Sequence, residues 1–215
     1  MEKLKITYAF IDAANLFYGG EKSLGWKIDY QKLLYYIKGK YNVSQAFYFG
    51  GVEIHSFHYD YLRYDSVPVK ELELHLKNFI ASEGKKLSEG RLLAIDRHLQ
   101  RVRFYLKLKN FGYKLFLKPV KLYRQEDGSA KRKANCDVDM AFYLMREQDN
   151  FDRALILSGD GDFLPVFKYL KGRHKEVTVL ARGPRTAREV KQFCAGDFRD
   201  FVRLEKHLRL NGKNK

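Results

Sequence analysis

Ala154-Leu-Ile-Leu157, then Ser158-Gly-Asp-Gly-Asp162, then Phe163-Leu-Pro165 packs a strand, an acidic turn and a helix start into one short stretch. Four consecutive apolar residues suit a strand buried on both faces. Gly159 and Gly161 let the backbone turn sharply between the acids, and Pro165 falls in the first helical turn, where its missing N–H costs little. Gly172 suits the end of that helix, and Val177 to Ala181 reads as the next strand. A strand, a helix and a strand in this order predict parallel pairing.

The same alternation extends in both directions. Ile6-Thr-Tyr-Ala-Phe-Ile11 is another nearly unbroken apolar run, stopping at Asp12. Asp29 suits the cap of a helix reaching Lys38, with Leu33, Leu34 and Ile37 on its apolar face. Val43 to Phe49 reads as a strand, two helical patterns fall near 68–80 and 89–109, and Tyr113 to Val120 is a further strand. Lys121 to Ala134 reads as a basic, turn-rich connection. A helix from Asp137 through Gln148 is predicted with Val138, Ala141, Phe142 and Met145 as its apolar repeat, and a last helix spans Thr186 to Cys194, with Thr186 as cap. The expected fold is a three-layer α/β/α domain with a central, mostly parallel sheet. It spans residues 1–210, with a helical insertion or arm at 52–112 and a basic tail at 211–215.

The 215 residues carry 41 Lys and Arg against 26 Asp and Glu, a formal charge of +15. Its distribution is uneven. Residues 1–100 hold 14 basic and 12 acidic groups, and residues 101–133 hold 11 and 2. Residues 134–167 hold 2 and 7, and residues 168–215 hold 14 and 5. An acidic island between basic flanks suits a polyanion held beside a cation site. No apolar run reaches the roughly 18 residues of a membrane span, and nothing at the N-terminus reads as a signal segment. Cys136 and Cys194, without partners at zinc spacing, read as small core residues of a cytoplasmic protein.

In open parallel sheets, sites form beyond the carboxyl ends of the strands. Asp12 and the pair Asp160 and Asp162 directly follow predicted strands, and Asp137 opens a helix after a flexible stretch. Carboxylates gathered there would repel one another and take up protons unless a cation held them. Oxygen ligands without a His or Cys cluster select Mg²⁺ or Mn²⁺, whose bound water can attack a phosphodiester. Asn15 would orient a phosphate or a water, and Ser158 would support the Asp160 loop. Asp139 lies about 200° around the helix from Asp137, so one of the two faces the site, and Asp137 is the choice.

Other motifs fail on inspection. Gly20 to Gly25 has P-loop glycine spacing, but Trp26-Lys27 stands where Lys-Ser/Thr is needed. The Gly159 turn lacks the last dinucleotide-binding glycine, and a calcium loop begun at Asp160 would end on Lys171. The six histidines, including His55 and His58, show no zinc spacing in sequence and read as surface or partner-contact residues.

Phe10-Ile-Asp12-Ala-Ala-Asn15-Leu, Lys133-Ala-Asn-Cys-Asp137-Val-Asp-Met-Ala and Leu157-Ser-Gly-Asp160-Gly-Asp162-Phe-Leu-Pro165 together resemble the NYN-domain family. This is a branch of the PIN-like nucleases, and the likeness is to its LabA-like (DUF88) group. Ala195-Gly-Asp197-Phe is similar to that family's closing segment. The resemblance implies a PIN-like sheet and a Mg²⁺- or Mn²⁺-dependent nuclease site acting on RNA. It places Asp12, Asp137, Asp160 and Asp162 as catalytic, metal-holding acids, with Asn15 and Ser158 in support. The chain departs from the family at Lys133-Ala-Asn-Cys136, where Lys-Gly-Val is common.

The basic flanks supply candidate RNA contacts: Lys121, Arg124, Lys131, Arg132 and Lys133 before the acidic helix, and Arg182, Arg185 and Arg188 after the last strand. Cations interleaved with exposed aromatics suit single-stranded RNA, although most aromatics between 101 and 133 are expected to fill the core. The function expected is a metal-dependent endoribonuclease. A noncatalytic RNA-binding or regulatory module is the alternative, and a DNA nuclease or phosphatase shares the same metal chemistry. The segment 52–112 reads as an arm, a lid or a surface for a homo-oligomer.

Overall fold

The structure, a computed structural model, describes residues 4–17, 22–124 and 130–210, with the backbone alone at residues 124 and 130–133. In chain order, β1 (Thr7–Asp12) precedes α1 (Tyr30–Tyr41) and β2 (Val43–Val52). Two long helices follow, α2 (Val69–Glu83) and α3 (Glu89–Phe111). Next come β3 (Lys114–Pro119), β4 (Lys121–Arg124) and β5 (Ala130–Lys133). The chain continues through α4 (Asp137–Arg146), β6 (Arg153–Leu157), α5 (Leu164–Gly172) and β7 (Glu176–Ala181). It closes with α6 (Arg188–Cys194), β8 (Phe198–Asp200) and α7 (Glu205–Leu208).

Six strands form one sheet in the order β3-β2-β1-β6-β7-β8. β1 pairs in parallel with β2 on one side and β6 on the other, and β6–β7 and β7–β8 are parallel as well. The sheet is thus mostly parallel, with helices flanking it, as the alternation predicted. From β1 the chain winds outward to β2, whereas from β6 it winds the other way through β7 to β8. The reversal lies between β1 and β6, and it opens a crevice at their carboxyl ends.

Contacts divide the chain into two compact units, residues 1–49 with 137–215, and residues 50–136. In the first, Phe10 stacks on Phe47 with centroids 5.1 Å apart and meets Phe151 edge-on at 5.8 Å. Such pairs add about 0.5–1.5 kcal/mol beyond the area they bury. Leu33, Leu34 and Ile37 of α1 are buried as their spacing predicted, and Asp29 caps the helix by accepting from the N–H groups of Gln31 and Lys32.

In the second unit, α2 and α3 are the two helices expected, with Leu72, Leu76, Ile95, Leu99, Val102 and Leu108 buried. Tyr105 donates its hydroxyl to the Gly51 carbonyl at 2.7 Å. Gly51 is required there, because a side chain would come within 2.6 Å of the Ala134 Cβ.

Two expectations need correction. The basic stretch 121–134 is more than a connection, since β4 and β5 pair as an antiparallel ribbon with Lys121 opposite Lys133 and Tyr123 opposite Lys131. The buried face of α4 is Met140, Tyr143 and Leu144, while Val138 and Phe142 are exposed. The repeat expected from sequence is a second apolar stripe, two residues out of phase and so on nearly the opposite side of the helix. Arg146 covers it in part, its guanidinium lying 5.5 Å from the Phe142 ring centre and 4.0 Å from that of Tyr143.

Candidate functional site

The rotated face of α4 sets the position of Asp137. Residues three and seven positions on from it, Met140 and Leu144, are buried, so Asp137 shares the side of the helix that packs inward. The helix lies over β1, and the negative charge of Asp137 is felt at Asp12.

Asp12 closes β1. Its Oδ1 accepts from the N–H groups of Ala14 at 2.9 Å and Asn15 at 3.1 Å, which caps a single helical turn. Its Oδ2 accepts from the Ser158 hydroxyl at 3.2 Å. That hydroxyl in turn accepts from the Asp160 N–H at 3.3 Å, while Asn15 Oδ1 accepts from the Gly159 N–H at 3.1 Å. Hydrogen bonds from both Asp12 and Asn15 therefore join the end of β1 to the turn after β6. Asp160 repeats the capping device locally, accepting from the Asp162 N–H at 3.0 Å at the start of the turn Gly161–Phe163.

Asp12 is 7% exposed and Ser158 is fully buried. Burial raises the Asp12 pKa to about 6, against the lowering effect of the Asn15 N–H. That value already includes a smaller raising by the Asp137 charge and the lowering by the Ser158 hydroxyl and the Ala14 N–H. At neutral pH the site holds a buried carboxylate whose ionised form is disfavoured and which has an acidic neighbour.

Asp160 is half-buried and Asp162 exposed. The four acids predicted from sequence are not drawn into one tight group. Asp12 and Asp137 are close enough to interact electrostatically, Asp160 joins through its backbone, and Asp162 sits on the turn beyond. Among the described residues, no three His, Cys, Asp or Glu side chains already surround a point where a metal would sit. The donor set nevertheless suits a hard divalent cation. Mg²⁺ keeps much of its water and needs one or two carboxylates, Asp12 and Asp137 supply oxygen only, and a cation would offset the burial that raises Asp12.

Close packing requires a glycine at 159 and crowds the one at 161, where the obstacle is a movable side-chain end. A Cβ on Gly159 would stand 2.6 Å from the Thr186 Oγ1 and 2.9 Å from its Cα, and the Gly159 carbonyl accepts from the Ala187 N–H at 2.9 Å. A Cβ on Gly161 would run into a carboxylate oxygen of Glu189 and lie 3.2 Å from the Ala187 Cβ. The segment 186–189 thus presses on the acidic turn and brings a further carboxylate, Glu189, against it. Thr186 is not a helix cap, because its hydroxyl donates to the Arg182 carbonyl at 2.8 Å and α6 begins after Ala187. The spacing of Thr186 and Glu189 imitates a capping box, but no side chain caps α6.

Of the predicted cations, Arg185 and Arg188 are exposed, whereas Arg182 is engaged. Its Nη1 lies 3.4 Å from Asp200 Oδ2, and its buried Nε meets no acceptor among the described residues. In the second unit Lys121 is exposed, with Nζ 5.6 Å from the ring centre of Tyr61. The side chains of Arg124, Lys131, Arg132 and Lys133 lie outside the described residues, as does the tail 211–215. No helix among the described residues is long and apolar enough to cross a membrane.

A family model described as NYN domain matches residues 74–201, more than half of the chain. The chain is 23% identical over 200 residues to the low amplitude and bright protein LabA of Synechococcus elongatus, covering 90% of this chain and 85% of that protein. A crystal structure of a protein of unknown function from Vibrio parahaemolyticus superposes with a TM-score of 0.58 at 20% identity, covering 98% of this chain and 99% of the other. A T5 D15 protein co-crystallised with metal ions superposes less well, with a TM-score of 0.43 at 14% identity over 87% of this chain and 59% of that one.

Proposed function

Because the chain belongs to the NYN-domain family, with LabA among its relatives, we propose that it is a metal-dependent ribonuclease acting on single-stranded RNA at the Asp12 crevice. The observation that carries this reading is Asp12 itself. It is buried at the switch point of a parallel sheet, held by three hydrogen-bond donors, and raised to about 6 beside a second carboxylate.

Asp12 and Asp137 would hold Mg²⁺ or Mn²⁺, with Asp160 and Asp162 at the mouth. The ion would neutralise charge on the phosphodiester and make its water more acidic. The protein's own groups prepare the site. Ser158 and the N–H groups of Ala14 and Asn15 favour the ionised form of Asp12, and Asn15, its Oδ1 used by Gly159, keeps an amide N–H₂ to offer a phosphate oxygen. Arg185 and Arg188 would hold the RNA backbone. The ribbon cations Lys121, Arg124, Lys131, Arg132 and Lys133 would form a second basic surface, with Tyr61 and Tyr123 as stacking faces. Cys136 and Cys194, both buried and not joined in a disulfide, suit a reducing cytoplasmic setting.

The spread of the four acids favours a second reading, a noncatalytic RNA-binding or regulatory module on the same fold. A cleavage assay run beside a metal titration separates the two. The nuclease reading expects Mn²⁺- or Mg²⁺-dependent cleavage of single-stranded RNA that Asp12→Asn or Asp160→Asn abolishes while RNA is still bound. Cleavage unchanged in the variants and in EDTA would sink it, and RNA binding with no turnover under any divalent ion would establish the module.

A further inference from the structure

Two histidines from different elements of the 50–136 unit, His55 and His98, meet there, and the charge of a third, His75, is felt at His55. His55 follows β2, His75 lies on α2 and His98 on α3. His55 Nε2 stands 2.6 Å from His98 Nδ1, with ring centres 4.7 Å apart. The His75 Nε2 is 3.5 Å from the hydroxyl of Ser56, next in sequence to His55. His55 is also one of four described non-glycine residues with positive φ, at 49°. A backbone in that region costs a bulky residue energy and persists where surrounding contacts fix it.

Two imidazoles joined by one hydrogen bond cannot both be protonated at the facing nitrogens. Burial, followed by the charge of His98, lowers the His55 pKa. Glu53 opposes this, and His75 and Arg91 add to the lowering. Neutral imidazole is the form that binds metals. Its nitrogens prefer Zn²⁺ and its transition-metal neighbours to Mg²⁺, so this cluster and the carboxylate crevice would select different ions.

We propose that His55 and His98 are ligands of a transition-metal site, with Zn²⁺ the foremost occupant, His75 the third nitrogen and water completing the shell. Among the described residues no three ligands already stand around one point, so the site is a poised pair rather than a closed cage. With Zn–N bonds of about 2.0–2.1 Å and tetrahedral angles, the two nitrogens would sit about 3.3 Å apart. The two nitrogens need to part by about 0.7 Å, and the rings to turn so that both lone pairs converge on the ion off the line between them. The hydrogen-bonding ring moves its proton to its other nitrogen, so a neutral pair takes up the ion with no net loss of a proton. His75 closes on the ion by side-chain rotation, tying the loop after β2 to both long helices.

This inference is independent of the nuclease reading. The test uses full-length, untagged protein stripped with a chelator, titrated with Zn²⁺ by calorimetry and with Co²⁺ by visible absorption. One equivalent should bind with the intense bands of tetrahedral Co²⁺, and Zn²⁺ should raise the melting temperature. His55→Gln and His98→Gln should each weaken binding on the order of tenfold or more, and His75→Gln should weaken it while altering the cobalt spectrum. Circular dichroism establishes that the variants fold. Asp12→Asn should leave the binding intact. Absence of saturable uptake, uptake indifferent to His55 and His98, or uptake abolished by Asp12→Asn would each overturn the proposal. So would a pH-dependent melting shift without zinc binding, which would mark a proton-sharing contact and nothing more.

Discussion

The Ser158 hydroxyl donates to Asp12 Oδ2 across 3.2 Å while accepting the N–H of Asp160. One buried oxygen thereby sets both the ionisation of the first acid and the placement of the third. Ser158→Ala should raise the Asp12 pKa beyond about 6, because the donor that favours the carboxylate is gone. A shift on the order of one unit is expected, read as carboxyl NMR titration in metal-free buffer and as an alkaline displacement of the acid limb of any pH–rate profile.

Asp12 also makes stability depend on pH. Its folded pKa, about 6, lies above the ordinary aspartate value of 3.8. The native state therefore binds more protons than the unfolded chain between these values, and its stability falls as pH rises through that window. Asp12→Asn removes the penalty and should stabilise the metal-free protein at pH 8 by up to about 3 kcal/mol. The gain should fade towards pH 4, and denaturant unfolding at the two pH values measures it.

Gly159→Ala should destabilise the protein by about 1–3 kcal/mol, since the new methyl would meet Thr186 at both Oγ1 and Cα. For Gly161→Ala the obstacle is mainly the end of the Glu189 side chain. Combining it with Glu189→Ala should recover most of the loss, giving a coupling that a double-mutant cycle in thermal unfolding would detect. Additive effects would remove Glu189 from the acidic turn.

Arg185→Ala and Arg188→Ala should each weaken RNA binding, and each should reduce the slope of log affinity against log salt by about 0.7 for every phosphate the arginine neutralises. Arg182→Ala should act first on stability, because its guanidinium is tied to Asp200. Filter binding across salt concentrations, set beside melting curves, distinguishes the two kinds of arginine.

The strands and their parallel order were legible because buried parallel strands are unbroken apolar runs, as in Phe10-Ile11 and Ala154 to Leu157. The position of Asp12 at the end of β1, and of Asp160 and Asp162 just beyond β6, was legible because they follow such runs. The face of α4 was not, since Val138 and Phe142 imitate a buried stripe and only the sheet determines which stripe turns inward. Arg182 looked identical to Arg185 in sequence and differs through Asp200, 18 positions on. The contact of His55 with His98 was not legible for the same reason, since the two lie 43 positions apart and only the fold brings them together.

β1 pairs with β6 across Thr7 and Arg153, and Asn15 reaches Gly159 over 144 positions. During synthesis, therefore, the first strand waits with one edge open until the whole of 50–136 has been made. The crevice cannot assemble until the ribosome has passed Gly159, and Asp12 lacks its partner across the sheet before then. Contacts this distant also slow folding, so the 50–136 unit, with its long helices, has time to form before the sheet that flanks it in sequence is closed.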